Sequence, residues 1–223
     1  MLGLLPEGGR VLGGSILFEG SELAGASERA YSKVRGRKIA YIPQEPMSNL
    51  DAAFTIGSQL VEPLRVTLGL SKREAVERAL SLLERVGIPN PKRTFAAYPH
   101  EISGGMAQRV LIAGAVSTDP DLLIADEPTT ALDVTVQAEV LEVLRDLQEE
   151  RQMALLLVTH NFGVVADLCD RVSVMQNGRI VETGPVRSIF HKAEHEYTLS
   201  LLDAILEDGE ARGPLVAATG GTR

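Results

Sequence analysis

Two adjacent carboxylates, Asp126 and Glu127, stand between the apolar run Leu122-Leu123-Ile124-Ala125 and Pro128. Acidic residues at the carboxyl end of a buried strand stand where open α/β sheets place their chemistry. Upstream, Ser103-Gly104-Gly105 precedes the helix-forming run MAQRVLIAGAV. A hydroxyl, two residues without side chains and the free N–H groups at the positive end of a helix dipole favour an anion. Gln44, after Pro43, offers a neutral oxygen to Mg²⁺ and an amide to a water. His160 closes a second apolar run, Met153–Val158. Taken singly, each has a plainer reading: a turn, a solvated acidic pair, a polar loop residue, a structural histidine.

These groups need elements that bring them together. Lys38–Gln44 reads as a strand that Pro43 closes, and Leu122–Ala125 and Met153–Val158 as buried strands. Between the second and third, Asp133 is an N-cap candidate. Val136, Val140, Val143, Leu144 and Leu147 then mark an amphipathic helix. Strand, helix, strand makes a βαβ unit with parallel strands, which brings His160 to the sheet edge that carries Asp126 and Glu127. Open α/β sheets place their chemistry at that edge.

The remaining segments are framed by local signals. Met1–Pro6 reads as the end of a helix, Ser15–Gly20 as strand and turn, Ser21–Gly36 as loop and short helix, and Glu45–Thr55 as loop. Ile56–Leu68 is helical with a break expected at Pro63. Ser71 and Glu74 form a capping box, after which Val76, Ala79, Leu80, Leu83 and Val86 share a face and Gly87 ends the helix. Asn177-Gly178 between two alternating runs predicts a hairpin with a type I′ turn, and a short helix begins at His195.

The order and spacing of SGGMAQR, LLIADEP and ALD resemble the signature motif, Walker B strand and D-loop of the ATP-binding subunits of ABC transporters. PQEPMSNLDAAFTIGSQL, TTALDVTVQ and NGRIVETGP resemble the peptide and nickel importer branch of that family. The resemblance implies an α/β fold with a P-loop NTPase-like (RecA-like) parallel sheet and an inserted helical subdomain. It implies residues 1–45 as part of the nucleotide-binding core, 46–115 as the helical subdomain with the signature and 116–206 as core again, while 207–223, rich in Gly, Ala and charge, reads as a disordered tail. It also implies ATP and Mg²⁺. Ser103, Gly104, Gly105, Gln108 and Asp133 would serve the nucleotide, and Asp126 and Gln44 the metal. Glu127, His160 and Gln44 would carry catalysis, with Glu127 as general base. Partners would be a second ATP-binding subunit and transmembrane permease subunits, at the cytoplasmic face of the membrane.

Composition bounds the alternatives. A net charge of −8 and a pI near 5.1 argue against a nucleic-acid partner, and so against a DNA-repair ATPase of the same superfamily. The one cysteine, Cys169, excludes an internal disulfide. No apolar run approaches the ~20 residues that span a bilayer. The five lysines, at 33, 38, 72, 92 and 192, include none that follows a glycine, so the Walker A pattern G-x-x-x-x-G-K-[ST] is absent from the 223 residues. The expectation is a chain truncated ahead of Met1, with weak ATP binding and negligible hydrolysis on its own. The alternatives are a non-catalytic partner that contributes only its signature face, and nickel rather than peptide as cargo.

Overall fold

A computed structural model describes residues 2–5, 8–129 and 132–212, with side chains through Ala204. The chain divides into two compact units, Met1–Val158 and Thr159–Arg223.

The first unit opens with a two-residue hairpin, β1 (Leu17–Phe18) and β2 (Ser21–Glu22), turning at Glu19 and Gly20, both at positive φ. Leu2–Leu5 are not helical, contrary to the reading of a helix end there. Gly3 sits at φ 65, which a helix cannot hold. Met1 and Pro6 lie outside the described residues. The Glu22 carboxylate gathers the Ser15 hydroxyl and the N–H groups of Ile16 and Ala24, and these bonds, Ser15's first, hold its pKa below the usual carboxylate value. A lowered carboxyl pKa stabilises above its unfolded value of about 4.3, and that contribution is lost as pH falls through the folded value. Glu22→Gln is therefore expected to flatten the acid limb of a thermal-melt series below about pH 4.3 while leaving the neutral limb parallel to wild type.

After α1 (Glu28–Val34), capped by Ser27, comes the sheet: β3 (Ile39–Ile42), β4 (Leu122–Asp126) and β5 (Ala154–Val158), all parallel, with β4 central. The register pairs Ile42 with Ala125 and Asp126 with Val158, so all three strands end at one edge. One face, with Ala40, Ile42, Leu123 and Ala125, lies in the main core with Val110, Ala113, Val140 and Leu144. The other carries Ile39, Leu122 and Ile124 against Leu23 and Tyr31, but leaves Tyr41, Leu156 and Val158 between 39% and 49% exposed. The expectation that the third run is a fully buried strand is corrected here: β5 alternates between exposed and half-buried residues. A strand is buried on both faces only if helices cover both.

Between β3 and β4 lies the helical insertion: α2 (Ile56–Leu68), α3 (Lys72–Arg85), α4 (Pro91–Ala96) and α5 (Gly104–Val116). α2 runs through Pro63 without the expected break. An internal proline costs roughly 3 kcal/mol. Ile56, Leu60, Val61 and Leu64 are all buried, each worth about 1.5–3 kcal/mol, so packing outweighs the lost hydrogen bond. On α3 the capping box of Ser71 and Glu74 forms, but the buried stripe is Ala75, Ala79, Leu82 and Leu83, rotated from the expected one. Val76 is left at the margin of the core. α3 packs against α2, α4 and α5 together, and that three-sided contact selects the face. α6 (Val134–Arg151) returns the chain to β5, burying Val140, Leu141, Leu144 and Leu147. Ion pairs join α6 and the β4 approach to the insertion: Arg109 to Glu139, Arg85 to Glu150, and both Arg78 and Arg151 to Asp119.

The second unit comprises α7 (Phe162–Leu168), the antiparallel pair β6 (Arg171–Gln176) and β7 (Arg179–Pro185), α8 (Val186–Lys192) and α9 (Glu196–Arg212). Asn177 and Gly178 both take positive φ, as a type I′ turn requires. The Glu182 carboxylate on β7 accepts from the N–H groups of Glu194 and His195, just ahead of α9. That helix continues through Arg212; residues 213–223 of the expected tail lie outside the described residues.

Candidate functional site

The strand register dictates the centre of the site. Asp126 is the last residue of β4, and Glu127 follows with its N–H donated to the Val158 carbonyl at 2.8 Å. Glu127 sits at φ 46, a left-handed conformation uncommon outside glycine and asparagine. Such local strain persists where the surroundings enforce it, and it clusters at functional sites. From the bend after β3, Gln44 donates through Nε2 to Glu127 Oε2 at 3.3 Å. Tyr41 donates its hydroxyl to Asp126 Oδ2 at 3.1 Å. Burial first, and then the Asp126 carboxylate, push the Tyr41 phenol above its ordinary pKa. Asp126 is thus held from β3 by a phenol, and Glu127 from the bend after β3 by an amide. Tyr41 was not singled out from sequence. Strand alternation places it one position from Ile42, but only the register sets it beside Asp126.

The SGG turn opens α5 as expected. Ser103 is its N-cap, and its hydroxyl oxygen accepts from the Met106 N–H at 3.3 Å. The two glycines differ. A side-chain carbon on Gly104 would meet nothing within 4 Å, whereas one on Gly105 would lie 2.9 Å from Cγ1 of Val136 on α6. Gly104 is open to a ligand; Gly105 is small because another helix lies against it. Gln108, placed by sequence among nucleotide-contacting residues, is 1% exposed within the α5 core face, and its Nε2 has no hydrogen-bond partner among the described residues. Asp133 caps α6, accepting from Thr135 and Val136 N–H at 3.1 and 3.0 Å, and its side chain stays at the surface.

His160 stands exposed two residues after the end of β5, at the head of the second unit. The next residue, Asn161, caps α7, accepting from Gly163 and Val164 N–H.

A cleft of about 680 Å³ lies along α2, away from these groups in sequence, walled by Asp51, Phe54, Gln59, Glu62, Pro63 and Val66. Among the described residues no helix is long and apolar enough to cross a membrane.

The carboxylate of Asp126 and the side-chain oxygen of Gln44, both hard oxygen donors at adjacent strand ends, suit a cation such as Mg²⁺ that keeps several waters.

The ABC transporter family model matches residues 3–130. The dipeptide transport ATP-binding protein DppD of Escherichia coli K12 is 43% identical over 220 residues, covering 99% of this chain and 67% of that protein. The oligopeptide transport ATP-binding protein OppD of Bacillus subtilis is 50% identical over 189 residues, covering 85% and 53%. A Brucella melitensis protein provisionally named as a peptide import ATP-binding protein is 51% identical, and this chain spans 60% of its length. Among solved structures, the ATP-binding cassette MJ0796, dimeric in a post-hydrolysis state with ADP and Pi, superposes with a TM-score of 0.72 at 26% identity. That match covers 80% of this chain and 76% of the cassette.

Proposed function

This chain belongs to the ABC transporter family, and from that premise we propose that it is part of the ATP-binding subunit of a peptide importer. The observation that carries the proposal is the pair of hydrogen bonds, from Tyr41 on β3 and from Gln44 in the bend after it, that hold Asp126 and Glu127 at the sheet edge. The exposed Ser103 and open-sided Gly104 at the head of α5 support the same reading.

In this proposal ATP lies between two such subunits. Ser103, Gly104 and Gly105 face the γ-phosphate of a nucleotide held by the second copy, through N–H groups at a helix N-terminus. Glu127 takes the proton of the attacking water, and Gln44 holds it in place for that task. His160 is assigned to the γ-phosphate by its matching position. Asp133 serves the junction between the two sites, and Gln108 supports the signature helix from its buried face. Mg²⁺, when bound, neutralises phosphate charge, and Asp126, through water, and Gln44 would hold it. The permease supplies the membrane-crossing segments and seats a cytoplasmic helix in the cleft along α2, which places the chain at the cytoplasmic face of the membrane. Domain bounds of 1–45, 46–115, 116–206 and 207–223 are proposed on the same basis.

The 223 residues hold no Walker A pattern, so the phosphates lack their lysine and backbone cradle within this stretch. The 223-residue chain alone is expected to release phosphate negligibly. Mixed with an intact homologous subunit it should support turnover that Ser103→Ala removes, and a form extended to the length of its relatives should hydrolyse ATP by itself. Robust turnover by the chain alone, abolished by Glu127→Gln, would overturn the division of labour proposed here. An extended form that neither binds nor hydrolyses ATP would overturn the function.

A further inference from the structure

Each carboxylate at the sheet edge is engaged by a neutral donor. Tyr41, on β3, gives its hydroxyl to Asp126 Oδ2 at 3.1 Å, and Gln44 gives its amide to Glu127 Oε2 at 3.3 Å. Gln44 already has a task at the metal and the water; Tyr41 has none. Its place is firmly set. Ala40 and Ile42, on either side of it, are buried in the main core, so the strand is pinned and Tyr41 projects from the opposite face. The parallel register sets it against Ile124, two residues before Asp126. Strand alternation puts Ile124 and Asp126 on one face, the face that carries the phenol.

Among the described residues no group of three His, Cys, Asp or Glu side chains is placed to hold a metal. The choice between cations therefore rests on how many oxygens this edge offers. Untied, the carboxylates of Asp126 and Glu127 and the amide oxygen of Gln44 amount to about five, close to the roughly six to eight that Ca²⁺ takes, with carboxylates in bidentate form among them. Mg²⁺ asks less of the protein, because it keeps several waters in a near-octahedral shell. With Oδ2 tied to Tyr41, Asp126 presents at most one oxygen, Oδ1. One oxygen suffices to accept from a water on Mg²⁺, whereas a bidentate grip on Ca²⁺ needs both.

We propose that Tyr41 is a positioning residue that sets cation specificity: by holding Asp126 Oδ2 it denies this carboxylate a bidentate grip and so favours Mg²⁺ over Ca²⁺. The inference rests on the assignment of Asp126 to the cation under the proposed function. Tyr41 acts only through Asp126, so its loss matters only while that carboxylate is present. A Ca²⁺ drawn in by Asp126 would also compete for the adjacent Glu127 carboxylate, the group assigned to take the proton.

The test uses the form extended to the length of its relatives, with the β,γ-imido analogue of ATP as probe and its affinity measured by titration calorimetry in Mg²⁺ or in Ca²⁺. Wild type should bind it more tightly in Mg²⁺. Tyr41→Phe should tighten binding in Ca²⁺ by about tenfold, the effect expected when a hydrogen bond to a charged group no longer competes, and change it in Mg²⁺ by less than about threefold. Tyr41→Leu, which also lacks a donor, should match it and stands in if Tyr41→Phe fails to fold. Adding Asp126→Asn to Tyr41→Phe should erase the gain in Ca²⁺, because an amide has a single oxygen. A merely structural role would move the melting temperature and both affinities together and leave their ratio where it was. An unchanged ratio in Tyr41→Phe, a shift in only one of the two Tyr41 variants, a gain that survives Asp126→Asn, or a wild type that prefers Ca²⁺ would overturn this inference alone. If wild type binds the analogue in neither ion, the proposed function falls as well.

Discussion

Glu127→Gln is expected to lower ATP turnover by roughly 10²- to 10⁴-fold in the extended, nucleotide-competent form, with little change in melting temperature. The substitution keeps the size of the side chain and an oxygen that can accept from Gln44 Nε2, and it removes the charge that takes a proton. Its neutrality for folding follows from the backbone. Glu127 N–H bonds the Val158 carbonyl whatever side chain it carries, and φ 46 is as awkward for glutamine as for glutamate. Glu127→Gly separates the two effects. It should be as inactive and yet more stable by about 1 kcal/mol, because glycine occupies the left-handed region freely. Phosphate-release kinetics beside calorimetric melts of the three forms check this. Turnover in Glu127→Gln within about threefold of wild type would remove the general base from this residue.

Gly105→Ala should destabilise the first unit by roughly 1–3 kcal/mol, whereas Gly104→Ala should be neutral or slightly stabilising. Sequence treats the two glycines as equivalents beside an anion, but their surroundings differ. The added methyl at 105 meets Cγ1 of Val136 at 2.9 Å and must push aside that side chain, in the first turn of α6 that Asp133 caps. The methyl at 104 enters open space, where the proposed function puts phosphate. Urea unfolding therefore singles out Gly105→Ala, while binding of a nucleotide-loaded partner singles out Gly104→Ala. A Gly105→Ala/Val136→Ala double variant should recover most of the lost stability, since it empties the contested volume. No recovery would mean that the cost arises in the turn itself and not between α5 and α6.

The features legible in the residues alone are those governed by neighbours a few positions away. Ser103, Asp133 and Ser71 with Glu74 accept N–H groups within three residues, so their caps form wherever the helix lies. Asn177-Gly178 makes its turn because both residues tolerate positive φ. The same holds for the order of strand ends carrying Gln44, Asp126 with Glu127, and His160, since chain order is sequence. The tertiary structure decided everything that depends on what lies opposite. Pro63 is carried within α2 because four buried side chains outweigh one missing hydrogen bond. The buried stripe of α3 turned because three helices meet it, and β5 kept one face exposed where the sequence predicts burial. Tyr41 beside Asp126, Val136 beside Gly105, and Gln59 across the 51–54 loop are contacts set by register and packing angle. Local propensity specifies which elements form and where they stop. The partners of a side chain are chosen by closure of the core, a sum over residues far apart in the chain that no short window contains.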